Sequence, residues 1–136
     1  MSSSELDYTA GNVADALRQL RALTGRLPEV TERLSHGAPT FFVREKRVVC
    51  SLSDDHHGDG RLALVYPAPP GVQEELVAAD SRRFYRPPYV GHRGWVGMRL
   101  DIDPDWGEAA EAVEEAYRLV APRTLVRQLE ERTTDA

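Results

Sequence analysis

Cationic and aromatic side chains share one short stretch of this sequence, residues 82–95, which contains no acidic residue. Guanidinium groups bind phosphate oxygens, and aromatic rings stack on bases or other planar groups. Two consecutive prolines and two glycines favour a loop over a regular element. The stretch therefore predicts a binding loop at the surface. Its cations are Arg82, Arg83, Arg86, His92 and Arg93, and its aromatic residues ahead of the tryptophan are Phe84, Tyr85 and Tyr89.

The four arginines of this stretch have two interpretations. In the first, they contact phosphates. In the second, they are surface charges that pair with the acidic segment that follows, since residues 101–115 contain seven acidic residues and no basic one. The net charge of −5 argues against indiscriminate attraction to nucleic acid or to a membrane. That total conceals a dipolar distribution, however, so a local basic patch is compatible with it.

Trp95 opens a segment with the two-residue period of a half-buried strand. Val96, Met98, Leu100 and Ile102 fall on one face, and Trp95 falls on the other. In one interpretation the tryptophan packs under a helix, which is the more frequent fate of a strand tryptophan. In the other it supports the basic loop and stacks on a base or a planar ligand.

Lys46 and Arg47 form a second basic group, at a predicted tight turn between two strands. They add a second point of phosphate contact if the turn is a binding element. They are otherwise solvated charges that keep a strand edge from pairing with another molecule. Both interpretations stay open at this point.

A cleft between the sheet and the C-terminal helix is the alternative site. Phe41, Trp95 and Tyr117 would line it and hold a small planar ligand. A third possibility is an interaction protein whose basic loop docks on the acidic helix of a partner or of a second copy, so the chain is a monomer or a homodimer.

Metal and catalytic chemistry are disfavoured by the pattern. Carboxylates and imidazoles gather in the segment Asp54 to Asp59, but adjacent histidines in a glycine-rich turn lack the partners that tune a metal site, so a solvated hairpin tip is predicted. No nucleophile elbow and no glycine-rich phosphate loop occurs. His36 has no neighbour to support a role as general base. We therefore predict no catalytic residue, no metal, no cofactor and no enzymatic activity.

Length and composition indicate one domain, residues 1–136. The hydrophobic content is 41% and the charged content 29%, which is typical of a globular chain, and no apolar run is long enough for a membrane helix. The single cysteine, Cys50, excludes an internal disulfide and indicates the reducing cytoplasm. We expect its side chain to be a small buried strand residue.

The predicted elements are helices, then strands, then helices. This order favours an α+β fold in which helices cover one face of an antiparallel sheet. The predicted helices are Thr9–Thr24, a short one over residues 28–34, Val72–Ala79, one that begins at Asp103 or Asp105, and Arg123–Arg132. The predicted strands are Thr40–Arg44, Arg47–Leu52, Arg61–Tyr66, a brief one at Arg82–Tyr85, and the segment after Trp95.

The sequence resembles the MmcQ/YjbR family over about residues 10–121. The resemblance lies in four pieces: residues 36–41 (HGAPTF) with Val43, then Lys46, then residues 89–96 (YVGHRGWV), and Ala116-Tyr117, where the family pattern has a serine ahead of the tyrosine. It implies a frataxin-like, double-wing domain that binds DNA.

These observations together predict a non-enzymatic DNA-binding protein. Phosphate contacts would come from the hairpin turn and from the loop, and Trp95 would support the loop or stack. Sequence specificity would be weak, because no helix presents an obvious set of base-reading side chains. The predicted contact residues are Lys46, Arg47, Arg82, Arg83, Arg86, Arg93 and Trp95.

Overall fold

The structure, a computed structural model, describes residues 3–54 and 61–135, with side chains for residues 13–54 and 61–132. It contains four α-helices and six strands within these ranges. The helices are α1 (Ser3–Thr24), α2 (Val72–Ala79), α3 (Trp106–Val120) and α4 (Arg123–Asp135). The strands are β1 (Val30–Ser35), β2 (Ala38–Val43), β3 (Arg47–Asp54), β4 (Leu62–Tyr66), β5 (Phe84–Tyr85) and β6 (Val96–Arg99).

The six strands form one antiparallel sheet in the order β1-β2-β3-β4-β6-β5. The first four make a meander, because each is joined to the next by a short connection. The chain then leaves the sheet for α2 and returns through β5 at the far edge. The predicted α+β fold is confirmed.

One face of the sheet, here called the covered face, packs against α1, α3 and α4. On β4 the residues Leu62, Leu64 and Tyr66 all belong to the core, as the predicted alternation requires. Helix α3 begins where Asp105 accepts a hydrogen bond from the backbone N–H of Glu108 at 3.1 Å. The core side chains of α3 are Ala109, Val113, Ala116, Tyr117 and Val120.

The prediction of a short helix over residues 28–34 is wrong, because residues 30–34 belong to strand β1. The strand pairs with β2 from Val30 opposite Val43 to Ser35 opposite Ala38. A spacing of four between Val30 and Leu34 satisfies both the helical and the strand period, so the apolar pattern does not discriminate. Leu34, expected to point inward, is 73% exposed.

Two short turns set the register of this meander. His36 and Gly37 have φ angles of 51° and 80°, and Arg44 and Glu45 have φ angles of 52° and 58°. Two consecutive residues of positive φ suit the twist of adjacent strands in a two-residue hairpin. The first loop has only its two residues. The second has three, Arg44 to Lys46, because Val43 pairs with Arg47, so it begins one residue before the turn predicted at residues 45 and 46.

A β-bulge between β2 and β3 changes which residues of β3 face the core. The register shifts so that Phe41 lies opposite Cys50 and Phe42 opposite Val48. Val49 is the extra residue and is fully buried. Val48, which strict alternation along the strand would place on the same face as Cys50, points instead to the other side of the sheet. Cys50 itself is buried as predicted.

No helix in the described ranges is both long enough and apolar enough to cross a membrane.

Candidate functional site

A groove of about 650 Å³ lies on the sheet face opposite the core, here called the open face. The strands β2, β3 and β4 form its floor. The β1–β2 turn forms one wall, and the end of β5 with the loop 86–95 forms the other. The floor residues are Ala38, Thr40, Val48, Ser51, Ser53 and Val65; the wall residues are Ser35, His36, Tyr85, Pro87, Pro88, Tyr89, Val90, Arg93 and Trp95. This cavity is called the open-face groove below.

The floor of the open-face groove is rich in hydroxyl groups. On β3 the groove-facing Ser51 and Ser53 alternate with the core residues Cys50 and Leu52. Thr40 is buried and its hydroxyl donates a hydrogen bond to the carbonyl of Ala38 at 3.0 Å. Hydroxyls both donate and accept, so this floor can meet either kind of polar group on a ligand.

Gln73 of α2 holds the loop 86–95 in place. Its side chain is 4% exposed, and its Nε2 donates hydrogen bonds to the carbonyls of Gly91 at 2.9 Å and of Trp95 at 2.6 Å. These carbonyls flank a short 3-10 helix, Gly91–Arg93. Sequence reasoning missed this residue. The available signal was its position three residues before Leu76, on the inward side of α2.

Tyr85 closes the groove at the level of Gly97, its partner across β5 and β6. A Cβ atom at residue 97 would lie 2.5 Å from Cε1 and Cζ of the Tyr85 ring, so only glycine permits this contact. The Arg61 guanidinium lies 4.2 Å from the centroid of the same ring. The ring is thereby fixed as part of the groove wall.

Arg93 and Trp95 are brought together in that wall. The guanidinium carbon of Arg93 lies 5.1 Å from the centroid of the Trp95 ring, within the range of a cation–π contact. Arg93 is exposed and Trp95 is half-buried. Trp95 therefore lies on the open face and not under a helix.

Arg82, Arg86 and Lys46 are exposed. None of them, nor Arg93, forms a salt bridge within the described residues. The stem of Arg86 packs over Gly91, where a Cβ atom would lie 2.5 Å from its Cγ. These cations keep their charges available to a ligand.

Arg83, predicted as a phosphate contact, is bound internally. Its guanidinium pairs with Glu108 in the first turn of α3 and lies 3.8 Å from Asp80. The hydrogen bond to Glu108 raises the pKa of Arg83, against a smaller opposing effect of burial. The side chain is only 20% exposed, so it has little surface to offer a phosphate.

Arg47 also points away from the open-face groove. It pairs with Val43 across the sheet, and its Nη1 donates a hydrogen bond to the carbonyl of Val120 at the end of α3 at 3.3 Å. The predicted basic group of the hairpin turn is thus divided. Lys46 stays at the surface, and Arg47 ties the sheet to the helices.

The residues of the predicted ligand cleft do not meet. Phe41 and Tyr117 are 2% and 0% exposed in the core, and the hydroxyl of Tyr117 donates a hydrogen bond to the carbonyl of Pro28 at 2.8 Å. Trp95 lies on the opposite face of the sheet. A second cavity, of about 480 Å³, lies among α1, α3 and α4 and contains none of the three.

The charged side chains in the described lining of the open-face groove are basic. His36 and Arg93 are its ionisable bases, and no carboxylate is among its lining residues in the part of the chain that the structure describes. The described residues also contain no group of three or more metal-ligating side chains. Of the predicted hairpin tip, Asp54 ends β3, whereas residues 55–60 lie outside the described residues.

Two distant parts of the sequence meet across this groove. His36, Ala38 and Thr40 come from the first piece of the family resemblance, and Tyr89 and Trp95 come from the third. About fifty positions separate them in the chain. Tyr117 and Lys46, from the other pieces, do not line the groove.

Comparisons with known proteins bear on the fold and the family of the chain. In fold, the chain is similar to a crystal structure of protein DR2400 from Deinococcus radiodurans, described as a DUF419 domain, with a TM-score of 0.66 and 20% sequence identity over 84% of this chain and 87% of that one. No curated protein matches the sequence. The family model described as YjbR matches residues 25–119, which is most of the chain. The chain therefore belongs to the YjbR family.

Proposed function

We propose that this protein is a non-enzymatic DNA-binding protein of the cytoplasm that holds DNA against the open face of its sheet. The observation that carries the proposal is the open-face groove, in which Arg93 covers Trp95 and no described lining residue is acidic. A polyanion gains most from a surface that offers cations without competing carboxylates.

The phosphate contacts of the proposal are the exposed cations. Arg93 lines the groove and Arg86 belongs to the loop of its wall, whereas Arg82 and Lys46 lie at exposed turns outside the lining. Arg83 and Arg47 are left out, because one is paired with carboxylates and the other with a helix carbonyl. Four contacts give a predicted slope of log affinity against log salt concentration of about −3.6 for duplex DNA and about −2.8 for a single strand.

The absence of catalysis is part of the proposal. Within the residues that the structure describes, His36 is the only imidazole of the groove lining, and it forms no hydrogen bond with the serines there. A serine nucleophile needs a base within hydrogen-bonding distance. The site is therefore better suited to binding than to acyl or phosphoryl transfer.

Charge reversal tests the site with a matched control. Arg93→Glu and Arg127→Glu change the net charge equally, but Arg127 lies exposed on α4, across the core from the groove. Fluorescence anisotropy with labelled DNA should show affinity about tenfold lower for Arg93→Glu and nearly unchanged for Arg127→Glu. An equal loss in both variants, or an affinity that does not respond to salt, would contradict the proposal.

A small planar anion is a second candidate ligand for the same groove. The volume of about 650 Å³ lies within the usual range of small-molecule sites. In a Trp106→Phe variant, Trp95 is the single tryptophan and reports on the groove alone. Saturable quenching by a mononucleotide, without any binding of DNA, would favour the small ligand over the polymer.

A further inference from the structure

Tyr89 has an unusual backbone conformation at the mouth of the open-face groove. Its φ angle is 66°, in the left-handed region, and the N–H of Val90 donates to the carbonyl of Pro88 at 2.7 Å. A three-residue turn with positive φ at its centre is rare and strained, especially around a bulky side chain. The next hydrogen bond, from Gly91 N–H to the carbonyl of Pro87 at 2.9 Å, helps to hold it.

The turn places the Tyr89 side chain in solvent: 76% of the residue is exposed. The strain is therefore not offset by burial of the ring in the core. Glycine or asparagine is the usual residue for such a backbone, at lower cost. Backbone strain of this kind clusters at active sites and ligand clamps. Tyr89 lines the groove together with Trp95, so the presented ring belongs to the binding site.

The shape of the site selects the form of the nucleic acid. Reading the base edges of a duplex requires a protein element that enters the major or minor groove, and this site is itself concave, so a duplex could meet it only through phosphates. A base in a duplex is also stacked on both sides, so it cannot offer its face to an aromatic ring. An unpaired base can enter a groove and stack, as in proteins that bind single strands through aromatic platforms.

We propose that the ligand of the open-face groove is single-stranded nucleic acid, one base of which stacks on Tyr89 while Arg93 contacts the adjoining phosphate. The inference rests on the proposed DNA-binding function and specifies its substrate. Charge complementarity favours this occupant, because the described lining offers Arg93 and His36 and no carboxylate. The hydroxyls of Ser51 and Ser53 accept from or donate to any base edge, so sequence preference is weak.

The experiment compares labelled oligothymidine with a hairpin duplex of equal phosphate number by fluorescence anisotropy. The wild-type chain should bind the single strand at least tenfold more tightly. Tyr89→Ala should weaken single-strand binding by about five- to a hundredfold, the effect of losing one base–aromatic stack. Tyr89→Phe should keep the affinity, and Leu119→Ala, which truncates an exposed side chain on α3, should not change it.

A stability measurement separates stacking from folding. Tyr89→Gly and Tyr89→Ala both lack the ring, but glycine relieves the positive φ angle, so Tyr89→Gly should unfold at a higher denaturant concentration than Tyr89→Ala. Both should bind the single strand equally weakly. Equal affinity for duplex and single strand, or an unaffected Tyr89→Ala, would overturn this inference while the DNA-binding function stands. Binding of neither probe would overturn both.

Discussion

The two faces of the same six strands have opposite chemistry. The covered face presents an almost continuous apolar surface, including Leu64, Val96 and Met98, each no more than 1% exposed. The open face mixes serine and threonine hydroxyls with small apolar side chains, and a loop folds over it instead of a helix. Because side chains alternate across a strand, neighbouring residues of one strand serve stability and binding separately.

The loops show the same division. Arg83 and Arg93 are ten positions apart in one basic stretch, but Arg83 bonds to Glu108 behind the sheet and Arg93 lies on Trp95 in front of it. Charge alone does not assign a function to either residue. The environment of each arginine depends on the face of the sheet to which the backbone directs its side chain, and on whether a carboxylate lies on that face.

The largest expected effect tests the covered face against the open face within one strand. Leu64→Ala should lower the free energy of unfolding by about 2–5 kcal/mol, because it leaves a cavity in the core. Val65→Ala, one residue on and facing the groove, should cost about 1.5 kcal/mol for two lost methyl groups. Urea denaturation measures both. Equal costs would mean that the open face is packed as firmly as the core.

The covered face could be predicted well from the sequence, because burial requires an apolar side chain at each position that points into the core. The alternation on β4 and β6 and the capped, amphipathic α3 all fixed the fold class. The errors lie where that pattern is ambiguous. Val30 and Leu34 fit two periods, and the bulge at Val49 moves Val48 to the other face without any sign in composition.

The open face was predicted only in part. Residue type singled out the loop with Arg93 and Trp95. It did not indicate that they face His36 across a groove, since the groove depends on the register of four strands. The pairing of Arg83 with Glu108 was one of two interpretations, and local patterns could not choose between them because the partner is 25 residues away. Contacts at that separation follow from topology, which local patterns do not contain.

A substitution at Gly97 should have the next largest effect, because this residue of the sheet contacts the Tyr85 ring of the groove wall. In Gly97→Ala the new methyl would overlap the Tyr85 ring and push it toward the groove. We expect a cost of about 1–3 kcal/mol in unfolding free energy, together with weaker ligand binding.

A double-mutant cycle provides the control for this prediction. With Tyr85→Ala already present, the same Gly97→Ala change should cost little, because the overlapping ring is gone. Additive costs in the two backgrounds would show that the ring contact is not the reason for glycine at this position.

Gln73→Leu should affect binding more than stability. The variant keeps the volume but loses both donors, so the carbonyls of Gly91 and Trp95 lose a buried partner, at about 1–2 kcal/mol. Amide hydrogen exchange should show loss of protection in the loop 86–95, and DNA affinity should fall. Gln128→Leu, on the exposed side of α4, is the matched control. Unchanged amide exchange in the loop would show that Gln73 does not hold the loop in position.

The smallest expected effect lies at the rim of the covered face, where α1 meets the edge strand β1. Arg21 donates to Glu32 through Nε at 2.8 Å and Nη2 at 2.9 Å. This hydrogen bond lowers the pKa of Glu32 below its ordinary value of 4.5, against a smaller opposing effect of burial. The pKa of Glu32 is lower in the folded chain than in the unfolded chain. The pair therefore stabilises the fold fully above the unfolded pKa, and this stabilisation is lost as the pH falls through the folded pKa.

Glu32→Gln should therefore flatten the acid limb of the stability curve. Between about pH 6 and about pH 3, the wild-type chain should lose slightly more unfolding free energy than the variant, since the variant has no proton to take up at this site. The difference should shrink in high salt, because the pair is partly exposed and ions screen it. Glu131→Gln, on the exposed side of α4, should leave the curve unchanged. Parallel curves for Glu32→Gln and the wild type would mean that α1 is held on β1 by apolar contacts alone, and that the covered face extends to the edge of the sheet without an electrostatic rim.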